Sequence, residues 1–218
     1  MHDAGHDTGI LLLPVCFYAS DCQNPATARE LTLKGKNNIM ETQMTKTKWV
    51  LDPAHSELLF SVRHLMISNV RGEFRNFSVE VDGEDFRNDP VLVKIQTGSV
   101  FTNDENRDNH LRAADFFDAE NHPEMIFEST SVTKTGDNEF RLSGNLTMKG
   151  VTRGLDLDLT FNGSNKDPWG NEKAGFSLSG KLNRSDWGLI WNAALETGGV
   201  LVSDTVKLNA EIQLVRQS

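Results

Sequence analysis

The chain has 218 residues, a formal net charge of -9 and 38% hydrophobic residues. That is one large domain or two small ones, with enough apolar material for a real core. Lys and Arg are scattered without a run, which excludes the basic face of a nucleic-acid binder and tight docking on an anionic membrane.

Residues 1–48 read as an N-terminal extension, either disordered or an atypical leader. Ile10 to Ala19 is an apolar run of signal-peptide length, but the segment before it carries Asp3 and Asp7 and no Lys or Arg, unlike a secretory leader. The two cysteines, Cys16 and Cys22, both lie here, so residues 23–218 hold no disulfide and no thiolate metal site. Residues 23–48 are polar and aperiodic. Met40 and Met44 are alternative starts, with Met44-Thr45-Lys46-Thr47-Lys48 running straight into a strand.

The globular part, 49–218, opens with Trp49-Val50-Leu51 and the turn signal Asp52-Pro53. From Glu57, the residues Leu58, Phe60, Val62 and His64 alternate on one face. Gly72 interrupts the next stretch, and Phe74 and Phe77 fall out of phase, which predicts a bulge between them. Phe77-Val79-Val81 and Val91-Val93-Ile95 follow as strands. The segment from Asn106 to Asp118 breaks the pattern. Leu111, Ala114 and Phe117 recur three apart, which predicts a short helix near 110–118, capped by Asp108 with Arg112 at its fifth position. Alternation resumes at Met125 and Phe127, then along Phe140, Leu142, Gly144, Leu146 and Met148. A turn at 150–154 leads to Leu155, Leu157, Leu159 and Phe161. The sets Ala174 to Leu182 and Val206 to Leu214 complete the chain. The stretch 188–202, with Trp187 before it and Trp191 within it, reads as a flap over an opening or as a subunit contact, with Arg184-Ser185-Asp186 as its anchor.

This amounts to an all-β fold of about eight antiparallel strands, each with one apolar face. A closed barrel or a sandwich would hide that face. At about eight strands a barrel interior holds either side chains or one ligand.

The motifs carry a resemblance. Asp52-Pro53-Ala54-His55-Ser56, then Phe60-Ser61-Val62-Arg63-His64, then Gly72 with Phe74 resemble the opening of the YceI-like family. Arg107-Asp108, His110-Leu111, Asp115-Phe116-Phe117-Asp118, and Pro123 with Phe127 and Ser129 resemble its centre. Gly144-Asn145-Leu146-Thr147 with Gly150-Val151-Thr152 resembles its third signature. The match runs from Trp49 to about Val215. It implies a lipocalin-like barrel with an apolar tunnel that binds and transports polyisoprenoids, such as an isoprenoid quinone or a prenyl phosphate. Some family members are exported to the periplasm. The start after Met44 is more like the cytoplasmic kind, which is the location expected here, with the periplasm as the alternative if residues 1–22 act as an export signal.

On that reading the ligand-binding residues are Phe60, Val62, Phe74, Phe77, Phe127, Leu146 and Phe176 along the tunnel. Phe116 and Phe117 close one end, Trp187 lies near the mouth, and His64, Arg107 and His110 face a head group. Arg suits a phosphate through forked donation. The competing readings are structural: ordinary core for each apolar residue, and a local ion pair and helix cap for Arg107-Asp108. No Gly-x-Ser-x-Gly elbow and no His-Glu-x-x-His is present, so no enzyme, no cofactor and no metal are expected. A metal-dependent site using His55, His64 and His110 is the remote alternative, and a barrel without a lipid is the nearer one. The expected partner is a long-chain lipid, with a homodimer left open.

Overall fold

The computed structural model describes residues 47–194 and 200–217. The expectations for the N-terminal extension, Cys16 and Cys22 lie outside those residues. So does the middle of the 188–202 stretch.

Eleven named strands form one sheet that closes on itself. They are β1 (Lys48–Leu51), β2 (Glu57–His64), β3 (Ser68–Phe74), β4 (Phe77–Val81), β5 (Val91–Gln96), β6 (Val100–Phe101), β7 (Glu124–Lys134), β8 (Glu139–Met148), β9 (Val151–Lys166), β10 (Glu172–Asn183) and β11 (Val202–Gln217). Among the described residues one α-helix, α1 (Glu105–Arg112), joins β6 to β7. β1 and β2 both pair with β11, β3 and β4 pair with β2 and β1, and β6 and β5 pair with β3 and β4. These six segments are therefore three interrupted strands. With the five unbroken strands β7 to β11 they make an eight-stranded antiparallel barrel. β1 closes it, bonding β4 on one side and β11 on the other. Closure leaves no edge along this seam and decides for a barrel over a sandwich.

Each interruption has a local cause. Between β1 and β2, Pro53 cannot donate to a ladder, and Asp52 caps a single 3-10 turn by accepting from the Ala54 amide. β11 runs past this break undisturbed. Its Gln213 carbonyl accepts from the Asp52 amide, and its Gln213 amide donates to the Ser56 hydroxyl in place of a backbone carbonyl. The break between β3 and β4 at Arg75-Asn76 lies beside the 3-10 turn Thr97–Ser99 between β5 and β6. The Arg75 amide donates to the Ser99 carbonyl, and the Gln96 amide to that of Asn76. A break in the strand, rather than the expected bulge, lets Phe74 and Phe77 both face inward.

The inward faces follow the alternation. In β8, Phe140, Leu142, Gly144, Leu146 and Met148 are all buried and their neighbours are not. Gly144 is required for space: a Cβ there would sit 2.4 Å from the Phe127 ring and 2.5 Å from the Glu128 carbonyl oxygen. The turn expected at 150–154 shrinks to Lys149-Gly150, both with positive φ, as tight hairpins demand.

Helix α1 starts earlier than the spacing of Leu111, Ala114 and Phe117 predicts. Asp104, not Asp108, is its cap and accepts from the Arg107 amide. Asp108 lies within the helix, is 3% exposed, and accepts from both the amide and the hydroxyl of Thr102 just after β6. Arg112 also ties α1 to the barrel, donating to the carbonyls of Gly98 and Val100. Phe116 and Phe117 follow the helix in a turn. Among the described residues no helix is long and apolar enough to cross a membrane.

Candidate functional site: an apolar cavity with a polar mouth

The inward side chains do not fill the barrel. They enclose a cavity of about 610 Å³ lined mainly by Leu, Val, Ile, Met and Phe, a volume within the range of small-molecule sites. Of the residues expected from the sequence, Phe60, Val62, His64, Phe74, Phe77, Arg107, His110, Phe116, Phe117, Phe127, Leu146 and Phe176 all border it. Trp187 does not. It is 2% exposed, sits in the 3-10 turn Arg184–Trp187, and its indole N–H donates to the Leu146 carbonyl at 3.0 Å. That bond fixes it behind the cavity wall. The neighbouring Trp191 takes the lining position instead.

The two ends differ. One end is formed by the β2–β3 turn, α1 with the residues after it, and the connection from β10 to β11. Here His110 lies edge-on to Phe116 and Trp191, at ring separations of 5.0 and 4.7 Å, and bonds through Nε2 to Asp115 at 2.7 Å. The His110 hydrogen bond holds the Asp115 carboxyl below its usual range. His64 reaches the same cavity from the end of β2. Arg107 lines the mouth too, but its guanidinium is engaged. Nε donates to the Thr102 hydroxyl at 2.7 Å and one terminal nitrogen to the Thr102 carbonyl at 2.8 Å, while the other lies 3.9 Å from Asp104. Arg107, Thr102 and Asp108 thus form one chain of bonds that seats α1 over the opening.

A second arginine, overlooked as a site residue in the sequence, shapes the mouth from the opposite side. Arg184 is 6% exposed. It donates to the carbonyls of Ser203 at 3.0 Å, Trp191 at 2.8 Å and Leu189, with a longer contact to Val202. These bonds hold the chain on either side of Trp191. Burial pushes the Arg184 pKa down, opposed by the charge of Asp204. Its sequence context, Asn183-Arg184-Ser185-Asp186, reads as a solvated turn, so only the general expectation of an anchor was available.

The rim of this end is apolar and exposed. Leu65 and Met66 both adopt positive φ, at 51° and 64°, in the β2–β3 turn, where Asn and Gly are the favoured residues. Met66 is 56% exposed and the next residue, Ile67, 76%. The Leu65 amide bonds the Leu201 carbonyl, so this turn abuts the β10–β11 connection, where Ile190 and Val200 are also exposed. The opposite end is closed by aromatic rings: Phe86 from the β4–β5 connection meets Phe140, Phe161 and Phe176.

The metal alternative required His55, His64 and His110 to converge. His55 is exposed at the β1–β2 break, paired with Asp52 at 3.0 Å, whereas the other two border the cavity. Among the described residues no three His, Cys, Asp or Glu side chains gather in metal-binding geometry.

The chain is similar to known proteins in sequence and in fold. A UPF0312 protein of Staphylococcus epidermidis is 39% identical over 170 residues, which cover 77% of this chain and 96% of that one. A UPF0312 protein of Staphylococcus aureus matches to the same extent. The crystal structure of the YCEI protein of Campylobacter jejuni is 34% identical, with a TM-score of 0.62 over 71% of this chain and 90% of that one. A polyisoprenoid binding domain from Saccharophagus degradans has the same fold, with a TM-score of 0.56 at 14% identity over 78% of this chain and 98% of that one. The model of the YceI-like domain matches residues 49–214, a span that takes in the barrel almost end to end, and the chain belongs to the YceI-like family.

Proposed function

We propose that the protein binds and carries a long apolar amphiphile, a polyisoprenoid such as a quinone or prenyl phosphate, without doing chemistry on it. The observation that carries this reading is the apolar cavity of about 610 Å³. The competing reading, a barrel packed solid with side chains, predicts no space of ligand size. The fold shared with a polyisoprenoid binding domain of another organism supports the same choice of ligand. The reading requires no metal and no redox cofactor.

Energetics make it a carrier rather than a trap. Moving one five-carbon isoprene unit from water into a dry cavity releases about 4 kcal/mol. Several units in sequence would exceed the observed ceiling on affinity. The real alternative for such a chain is a bilayer, so exchange between bilayer and barrel is near neutral. Selectivity then rests on cavity length and on polar contacts at the mouth. His110 and His64 border the cavity there and are placed to meet a head group, while Arg107 adds its charge beside them. Leu65, Met66, Ile67 and Ile190 suit a rim that touches a membrane while the chain transfers.

Extraction of lipids from the purified protein, followed by mass spectrometry, tests the reading. Recovery of a stoichiometric isoprenoid is expected. A barrel that purifies empty and takes up no prenol from vesicles would refute it.

A further inference from the structure

The floor of the cavity is built differently from its walls. Phe140, Phe161 and Phe176 stand on β8, β9 and β10 and are fixed by ladder pairing. Phe86 instead comes from the connection between β4 and β5. That connection folds on its own polar contacts. Asp85 accepts from the Arg87 amide at 3.1 Å, the Arg87 guanidinium at 2.7 Å and the Asn88 side chain at 2.9 Å, and the Asp85 amide donates to Asp89. The result aims one apolar ring into the barrel end. Phe86 lies edge-on to Phe176 at 4.9 Å and to Phe140 at 5.4 Å, and tilted against Phe161 at 5.6 Å.

A second space of about 1110 Å³ lies on the far side of this ring. Val81, Phe86, Val132, Phe176 and Leu214 border both spaces, so a single layer of side chains divides them. Their walls differ in chemistry. The inner cavity is apolar, whereas Arg87, Lys134, Asp137, Asn138 and Lys166 border the outer one. A chain advancing through the barrel tail-first would meet the Phe86 ring. Past it, methyl groups would meet Arg87, Lys134, Asp137 and Lys166 beside Trp49, Phe140 and Phe161, so burial there returns less than in the mainly apolar interior.

We propose that Phe86 is the chain-length stop of this barrel: it sets the longest isoprenoid the cavity accepts. The inference rests on the carrier reading above. Of the two rings that border both spaces, Phe86 and Phe176, Phe86 is the one whose removal opens a passage without taking a residue from a strand.

The test loads the full chain with an equimolar ladder of all-trans prenols that differ by single isoprene units, and native mass spectrometry reads the bound distribution. Wild type should show a sharp upper limit. Phe86→Ala should move that limit up by at least one unit, Phe86→Leu by less, and Phe86→Trp should move it down. Thermal melts identify any variant that fails to fold, in which case the milder Phe86→Leu carries the comparison. An unchanged upper limit in folded Phe86→Ala, or in Phe86→Leu where the alanine variant does not fold, overturns the stop while leaving the carrier reading intact. A wild-type protein that binds no prenol overturns both.

Discussion

Replacing Arg184 by Met should cost the barrel about 3–5 kcal/mol, with little change in apolar volume. Arg184 makes three close bonds, to the carbonyls of Ser203, Leu189 and Trp191. The contact to Val202 is long, at 3.4 Å, and that carbonyl also accepts from Asn192 at 2.7 Å, so it adds little. Hydrogen bonds from a charged donor contribute about 1.5–3 kcal/mol each, which would give about 5–9 kcal/mol if they added fully. They will not. Trp191 and Ser203 are half-buried, so a small shift returns their carbonyls to water. The Leu189 carbonyl belongs to a residue that is 4% exposed and carries most of the penalty. Urea unfolding followed by tryptophan fluorescence measures the loss, and an unchanged m-value shows that the same surface is exposed. For a domain of this size the melting temperature should fall by about 10 °C. Arg184→Lys should recover part of the loss, because an ammonium keeps the charge but cannot fork to three carbonyls. An Arg184→Met variant within about 1 kcal/mol of wild type would refute the assignment.

Two further predictions concern pH and the rim. Asp52 is 13% exposed at its side chain and hydrogen-bonded by Lys173 at 2.7 Å, which lowers its pKa from 3.8 to about 2. Because the folded value is the lower one, the stabilisation is complete above about pH 4 and is lost as pH falls toward 2, amounting to about 2 kcal/mol. Asp52→Asn and Lys173→Met should both flatten the acid limb of stability against pH; a limb as steep as wild type in either would refute the pairing. At the rim, Ile67→Asp should leave the melting temperature nearly unchanged, since Ile67 is 76% exposed. It should slow uptake of a fluorescent prenol from vesicles by about tenfold, through loss of apolar contact with the bilayer. An unaltered uptake rate would remove the membrane-facing role of the rim.

The strands were legible because alternation is a local signal: Phe140 to Met148 and Val206 to Leu214 announce their inward faces residue by residue. The motif at Asp52-Pro53 was legible as a break for the same reason. The start of α1 is not legible locally, because Asp104 and Asp108 both carry a side chain able to cap a helix. The choice depended on Thr102, which needs a buried acceptor that only Asp108 reaches. The place of Trp187 is not legible locally either, because a Trp in an apolar stretch reads equally as wall or lining. Its bond to Leu146, 41 positions away in sequence, decided the matter.

By itself, then, the sequence determined that the chain makes about eight one-sided strands and which side of each is apolar, since those properties depend on neighbours two positions apart. It also determined the family, through short motifs kept in order. Tertiary structure decided the rest, because the rest depends on distant pairings. Closure rests on Lys48 meeting Gln217 across nearly the whole domain. The cavity exists because facing side chains from opposite strands stop short of one another, which no single strand records. Arg184 and Phe86 sit in connections with no periodicity, and their roles at the two ends of the cavity appear only once the barrel is closed.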